Sequence, residues 1–180
     1  MITAVEIDEL YYAEPIASVA DKTKGLTGAE VAAILKDTKT KEVKNVHGDT
    51  FQYEESEANV TRYKNALTGE YYRETTEPGE VKLNFTIGEY DYETKANLQG
   101  GTATEKSWER AKYKPINKCI IGKTKDGVYV VFPKASINGR GSNTDKAIGL
   151  AVVASPLTTG VDGLASEKWF DESEVVVAEG

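Results

Sequence analysis

The segment that most restricts the fold is Val81–Ile87, in which apolar and polar residues alternate without exception. Its odd-numbered residues are Val, Leu, Phe and Ile, and its even-numbered residues are Lys, Asn and Thr. Because successive side chains of a strand point to opposite faces, this pattern predicts a strand with one buried face. A chain of 180 residues built on such strands can form one core, so we expect a single domain spanning residues 1–180.

Further segments also predict strands. The apolar runs Cys119–Gly122 and Val128–Phe132 flank Lys125–Gly127, and an Asp-Gly pair of this kind accepts the positive φ of a tight hairpin turn. Pro133 is expected to end the second strand or to place it at an edge, because proline donates no ladder hydrogen bond. The segment Val5–Tyr12 is also expected to be a strand.

Near the C-terminus, Ala147–Ala154 contains no polar residue. Such a run predicts a strand covered on both faces, either by the core alone or partly by a neighbouring subunit. The preceding Gly139–Ser142 is rich in glycine but lacks the spacing of a phosphate-binding loop, so it predicts a flexible loop. Val175–Val177 is a candidate short strand.

Two helices are predicted. Thr27 and Glu30 match a capping box, and apolar residues follow at helical spacing. A second helix is expected from Asp91, a favourable N-cap, to about Leu98, with Tyr92, Ala96 and Leu98 packed against the sheet. The sequence therefore predicts a mainly β (α+β) domain with one or two short helices.

Residues 54–80 differ from the rest because they are polar and carry the turn signals Thr68-Gly69 and Pro78-Gly79. A loop of this length inside a compact domain is usually functional. We call residues 54–80 the arm and expect it to become ordered against a neighbouring subunit. The alternative is a surface excursion with a short hairpin on which Tyr71 and Tyr72 pack down.

The only histidine, His47, precedes a cluster of carboxylates. Zinc sites use several histidine or cysteine ligands, and this chain has one of each. The acids do not follow the spacing of a calcium-binding loop. We therefore expect a turn at Gly48-Asp49 followed by the strand Thr50–Glu54, and no metal site. The acids in question are Asp49, Glu54, Glu55 and Glu57.

The chemistry of the remaining candidates also argues against an enzyme. Cys119 lies in an apolar run and is expected to be a small buried residue. No nucleophile elbow is present. Trp108 and Arg110 are spaced for a cation–π stack, with Trp108 as a core or interface anchor. We expect no catalytic, cofactor-binding or metal-binding residues, and no cofactor.

Charge and the N-terminus restrict partners and location. The net charge is −7, so the surface repels nucleic acid and sequence-specific DNA binding is not expected. Met1–Glu6 has no basic region and no long apolar run, which predicts neither a signal peptide nor a membrane-spanning helix. The chain is expected to be made in the cytoplasm and to contact no membrane.

The order of these segments resembles a known family, the major tail tube proteins of long-tailed, prophage-type bacteriophages. The similarity extends over roughly residues 43–170 and rests on the order of segments, since the family has no catalytic motif. The segments that carry it are residues 45–74, 81–102, 120–137, 145–157 and 167–170.

The resemblance implies two packed antiparallel sheets, as a sandwich or half-open barrel, with a flanking helix. It implies hexameric rings that stack into a hollow tube, with a long loop reaching the next ring. DNA would pass through the lumen without specific binding, and tape-measure, baseplate and tail-terminator proteins would be partners. The location would be the virion tail. Tubes of contractile secretion systems share this fold and are an alternative.

For such a tube we also expect an acidic lumen, because an acidic wall offers DNA phosphates no cationic side chains to bind. A function of a different class also fits the sequence: a monomeric β-sandwich that grips a carbohydrate or peptide. That module would use Tyr71, Tyr72, Tyr90 and Tyr92. The tube predicts rings, whereas the module predicts a monomer with an aromatic cleft.

Overall fold

The computed structural model describes residues 3–176, which form twelve strands and two helices. The helices are α1 (Gly28–Lys36) and α2 (Tyr92–Gln99). The strands are β1 (Ile7–Ala13), β2 (Lys41–Glu42), β3 (Gln52–Glu55), β4 (Asn59–Lys64), β5 (Tyr71–Glu77), β6 (Val81–Ile87), β7 (Thr102–Thr104), β8 (Ser107–Glu109), β9 (Ile116–Thr124), β10 (Val128–Thr144), β11 (Ala147–Pro156) and β12 (Lys168–Asp171).

Eight strands form one antiparallel sheet in the order β2-β1-β9-β10-β11-β6-β3, with β12 beside the first part of β10. The sheet curls strongly. Phe51, next to β3, and Ile7 of β1 both reach the space above Gly122 of β9, although their strands lie far apart in the strand order. The ring of Tyr53 in β3 also lies 5.6 Å from that of Trp169 in β12. The predicted mainly β, sandwich-like fold is confirmed, with its layers formed by one curled sheet.

The curled sheet separates two hydrophobic clusters. The inner cluster includes Phe85, Phe132 and Leu150, and Leu98 of α2 closes it. The outer cluster lies beneath α1 and includes Val31. Alternation along β9 supplies both, since Ile120 faces the inner cluster while Cys119 and Ile121 face the outer one. The inner cluster also contains the buried strand residues Leu83, Ile87, Ile137, Val152 and Ala154.

Helix α1 begins at the predicted capping box. The Thr27 hydroxyl accepts from the Glu30 N–H at 3.4 Å, and the Glu30 carboxylate accepts from the Thr27 N–H at 2.8 Å. The same carboxylate accepts from the Ala20 N–H at 2.8 Å. Burial opposes ionisation of Glu30, but these hydrogen bonds hold its pKa below the usual value.

Helix α2 has the predicted ends. The Asp91 carboxylate accepts from the Thr94 N–H at 2.7 Å, and Gly100 follows the last turn at φ 85°. Leu98 is fully buried. The expectation that Tyr92 packs on the sheet is wrong, because its side chain is exposed.

The expected loop at Gly139–Ser142 is wrong, because these residues continue β10 as far as Thr144. They pair with β11 in register, and the connecting Asp145 and Lys146 both have positive φ, as tight hairpin turns require. Pro133 does not end the strand. On one side of β10, β12 pairs with the residues before Pro133 and β11 pairs with the residues after it. On the other side, the ladder with β9 shifts register between Phe132 and Ala135. Its missing N–H is therefore not needed there.

Two C-terminal expectations also need correction. In Ala147–Ala154, Leu150, Val152 and Ala154 are buried on one face, but Ile148 on the same face is 68% exposed, and Ala151 and Val153 on the other face are half-exposed. Polar residues of the neighbouring strands share that second face. The uniformly apolar sequence therefore overestimated how deeply this strand is buried. Val175 and Val176 belong to no strand, and Val177 lies outside the described residues.

The close approach of β10 to α2 predicts that a side chain at Gly139 would destabilise the protein. A Cβ on Gly139 would lie 2.4 Å from the Leu98 carbonyl oxygen, whereas a Cβ on Gly141 would have its nearest neighbour at 4.0 Å. We expect Gly139→Ala to destabilise the protein by about 1–3 kcal/mol, because backbone must move to admit the methyl group. Gly141→Ala is the matched control and should change stability little. Urea unfolding of both variants measures the difference, and equal stabilities would contradict this packing.

Candidate functional site

His47 lies outside any cluster of metal ligands. Its Nε2 is 2.9 Å from Oδ2 of Asp145, an exposed residue in the β10–β11 turn. The expected turn is present, with Asp49 at φ 61°, and strand β3 follows it. Among residues 3–176, no group of three or more histidine, cysteine, aspartate or glutamate side chains is placed to hold a metal ion.

We expect His47→Ala to leave assembly intact and to lower stability by no more than about 1 kcal/mol, because the lost contact between His47 and Asp145 is largely solvated. Thermal melting and metal analysis of the purified variant test this. Loss of a tightly bound metal ion, or loss of assembly, would contradict the structural role.

Cys119 is fully buried in the outer cluster beneath α1. Burial raises the pKa of its thiol to about 12, so the reactive thiolate is disfavoured near neutral pH. Its environment is that of a small apolar core residue.

The arm forms a hairpin of β4 and β5, joined by residues 65–70. At about 3.3 Å per residue, the six residues of β4 span about 20 Å. Every residue of β4 is exposed, as is every residue of β5 except Thr75. An isolated two-stranded hairpin is at best marginally stable in water, so this element gains little from burial in its own subunit.

Large apolar side chains are exposed on this hairpin. Leu67 at the tip is 95% exposed, and Tyr71 and Tyr72 are 64% and 69% exposed. The Tyr63 and Tyr72 ring centroids lie 6.4 Å apart, and the Arg73 guanidinium lies 5.7 Å from the Tyr63 ring. The short hairpin of the alternative prediction is therefore present, but the expectation that Tyr71 and Tyr72 pack down on it is wrong. Exposed apolar groups gathered on one element are typical of an interaction surface.

A second surface surrounds Trp108. The indole Nε1 donates to the Gly100 carbonyl at 2.9 Å, while Lys95 Nζ lies 4.4 Å from the ring centroid and the Arg110 guanidinium 5.4 Å from it. The predicted stack of Trp108 and Arg110 is thus present. The adjoining cavity has a volume of about 550 Å³. Lys112 also lines it.

Sequence reasoning missed this cavity as a site. Its lining includes no carboxylate, although the chain as a whole is acidic. Residues 106–114 carry four basic side chains against one acidic side chain, and that charge reversal was the available signal. At the cavity wall, the buried Gln99 Oε1 accepts no hydrogen bond from residues 3–176. We define the cationic cleft by Gln99, Trp108, Arg110, Lys112, Tyr113 and Lys114.

The four tyrosines of the binding-module alternative lie on two separate elements. Tyr71 and Tyr72 are on the hairpin, whereas Tyr90 and Tyr92 adjoin the start of α2. The Tyr90 hydroxyl donates to the Ile148 carbonyl at 3.2 Å. Within residues 3–176, no aromatic contact joins the two pairs.

Comparison with known proteins adds no identification: no protein-family model matches the chain, and no curated protein matches it in sequence. Neither helix of the described residues has the length and apolarity needed to cross a membrane.

Proposed function

We propose that this chain is the structural subunit of a phage tail tube, which self-assembles into stacked hexameric rings around a channel for DNA. The observation that carries the proposal is the exposed hairpin of the arm, which projects apolar side chains away from its own subunit. The resemblance of residues 43–170 to tail tube proteins gives this surface a purpose, namely contact with the next ring.

The curled sheet supports the same function. Its end strands, β2 and β3, each have one edge that no described strand pairs with, and neighbours in a ring can pair or cover these edges. The half-exposed face of β11, with Ala151 and Val153, is a further apolar strip that a neighbour can bury. The proposed location is the virion tail, and the proposed partners beyond the subunit itself are the tape-measure, baseplate and tail-terminator proteins.

Assembly of the purified protein tests the proposal. Light scattering coupled to size-exclusion chromatography should detect rings or tubes at high protein concentration, because every contact is supplied by copies of one chain. A protein that stays monomeric, yet binds a glycan or peptide through Tyr71 and Tyr72, would instead support the monomeric binding module. The exposure of Tyr71 and Tyr72 is the observation that supports the monomeric binding module as a second candidate.

We further expect the inner wall of the tube to be acidic. The subunit carries a net charge of −7, and lysines or arginines along the channel would gain affinity for DNA through counterion release. An electron cryomicroscopy reconstruction of assembled tubes gives the charges on both walls. An inner wall that is neutral or basic, with the acids on the outside, would contradict this expectation.

A further inference from the structure

We infer that the cationic cleft of one subunit receives the acidic base of the arm of a second copy. We define this base as the acidic stem, and the inference rests on the proposed tube function. The acidic stem consists of Glu54, Glu55, Glu57, Glu77 and Glu80, which lie where the arm leaves β3 and enters β6.

The cleft is a cationic surface whose charges are not neutralised by acids of the described residues. Within residues 3–176, Arg110, Lys112 and Lys114 form no ion pair. Some lysines elsewhere do pair with nearby acids, as Lys118 does with Glu14 and Lys123 with Glu9. Tyr113 beside them is 76% exposed, so an incoming segment would also find an aromatic face.

The stem is the complementary surface. The arm carries seven acidic side chains against three basic ones. Glu55, Glu57 and Glu77 form no ion pair with a described residue, and all three are exposed. Glu80 pairs with Lys82 at 2.7 Å, so part of the stem is neutralised locally and part remains available. Complementary charge of this kind orients partners and excludes wrong pairings.

The sheet register places the two surfaces at different levels along the strands of the curled sheet. Glu55 pairs with Val81, so the stem adjoins the first residue of β6. Gly139 pairs with Val152, which pairs with Phe85, the fifth of the seven residues of β6. The backbone of Leu98 and Gln99 packs directly over Gly139, which puts the cleft at that level.

The stem and the cleft are different surfaces of the subunit, so the stem of one copy would contact the cleft of the next. Such a contact is heterologous and repeats without closing on itself, as a stack of rings requires. The hairpin that extends beyond the stem is long enough to pass alongside the receiving subunit.

Charge reversal tests the inference. We expect Lys112→Glu with Lys114→Glu, and separately Glu55→Lys with Glu57→Lys, to lower tube yield at least about tenfold through like-charge contacts. The chain that combines all four substitutions should regain tubes, because both partners are reversed together. Lys36→Glu with Lys44→Glu, at exposed positions outside the cleft, is the matched charge control and should assemble. Thermal melting verifies that each variant is folded.

The outcomes separate this inference from the function on which it rests. Tubes from the wild type and from both reversed pairs would overturn the pairing and leave the tube function standing. Failure of the fourfold variant to recover would also overturn it. A wild type that never assembles contradicts both. Binding of a single-stranded oligodeoxynucleotide, lost on reversing Lys112 and Lys114 while tubes still form, would make the cleft a nucleic-acid surface instead.

Discussion

Replacing residues 57–79 with an Asn-Gly turn should abolish tube formation while leaving the subunit folded. The Ser56 N–H donates to the Glu80 carbonyl at 3.0 Å, so β3 and β6 already approach closely enough for a two-residue connection. No residue from 57 to 79 belongs to either hydrophobic cluster. The loss should therefore fall on contacts between subunits and not on the core.

Electron microscopy and thermal melting of this variant check both halves of the expectation. The melting temperature should stay within about 2 °C of the wild type, since surface changes of this kind shift stability by about 0.5 kcal/mol or less. Normal tubes from the shortened chain would contradict the assignment of the arm to stacking. Unfolding of the shortened chain would contradict the independence of the core from the arm.

Phe132→Ala should be the most destabilising single change among those considered. Phe132 is 1% exposed in the inner cluster, and its removal leaves a cavity where strands β9 and β10 pair. Truncation of a buried phenylalanine costs about 3–5 kcal/mol, a large part of the stability of an ordinary domain. Tubes should be lost because too little subunit is folded.

Tyr113→Ala is the matched control, because it removes an aromatic ring that is exposed. Its effect on the free energy of unfolding should lie within about 0.5 kcal/mol. Denaturant unfolding of both variants gives the comparison, and a loss below about 1 kcal/mol for Phe132→Ala would contradict the packing described for the inner cluster.

The sequence predicted elements whose local chemistry decides their structure. Val81–Ile87 alternates strictly and forms β6 with the predicted bounds, and the caps at Thr27 and Asp91 start both helices. Gly127, at φ 77°, ends the turn predicted between β9 and β10. In each case neighbouring residues supply the hydrogen bonds or the conformational freedom that the element needs.

Elements decided by distant partners were not predictable in the same way. Gly139–Ser142 contains no strand-forming pattern and becomes a strand because β11 pairs with it. Ala147–Ala154 is uniformly apolar, yet one of its faces shares a surface with polar neighbours, and only the sheet order shows this.

The candidate surfaces show the same division. Residues 54–80 were singled out by their polarity and length, and a short hairpin there was one of the two alternatives, whereas the exposure of Tyr71 and Tyr72 required the structure. The cationic cleft depends on α2, β8 and the segment before β9 meeting in space. A run of basic residues in the sequence does not state which cavity they line.

Electron microscopy of the purified wild-type protein tests the central claim most directly. The account predicts hollow tubes made of stacked six-fold rings, which form from this chain alone as its concentration is raised. A protein that remains a folded monomer at every concentration tested would contradict the proposed tube function.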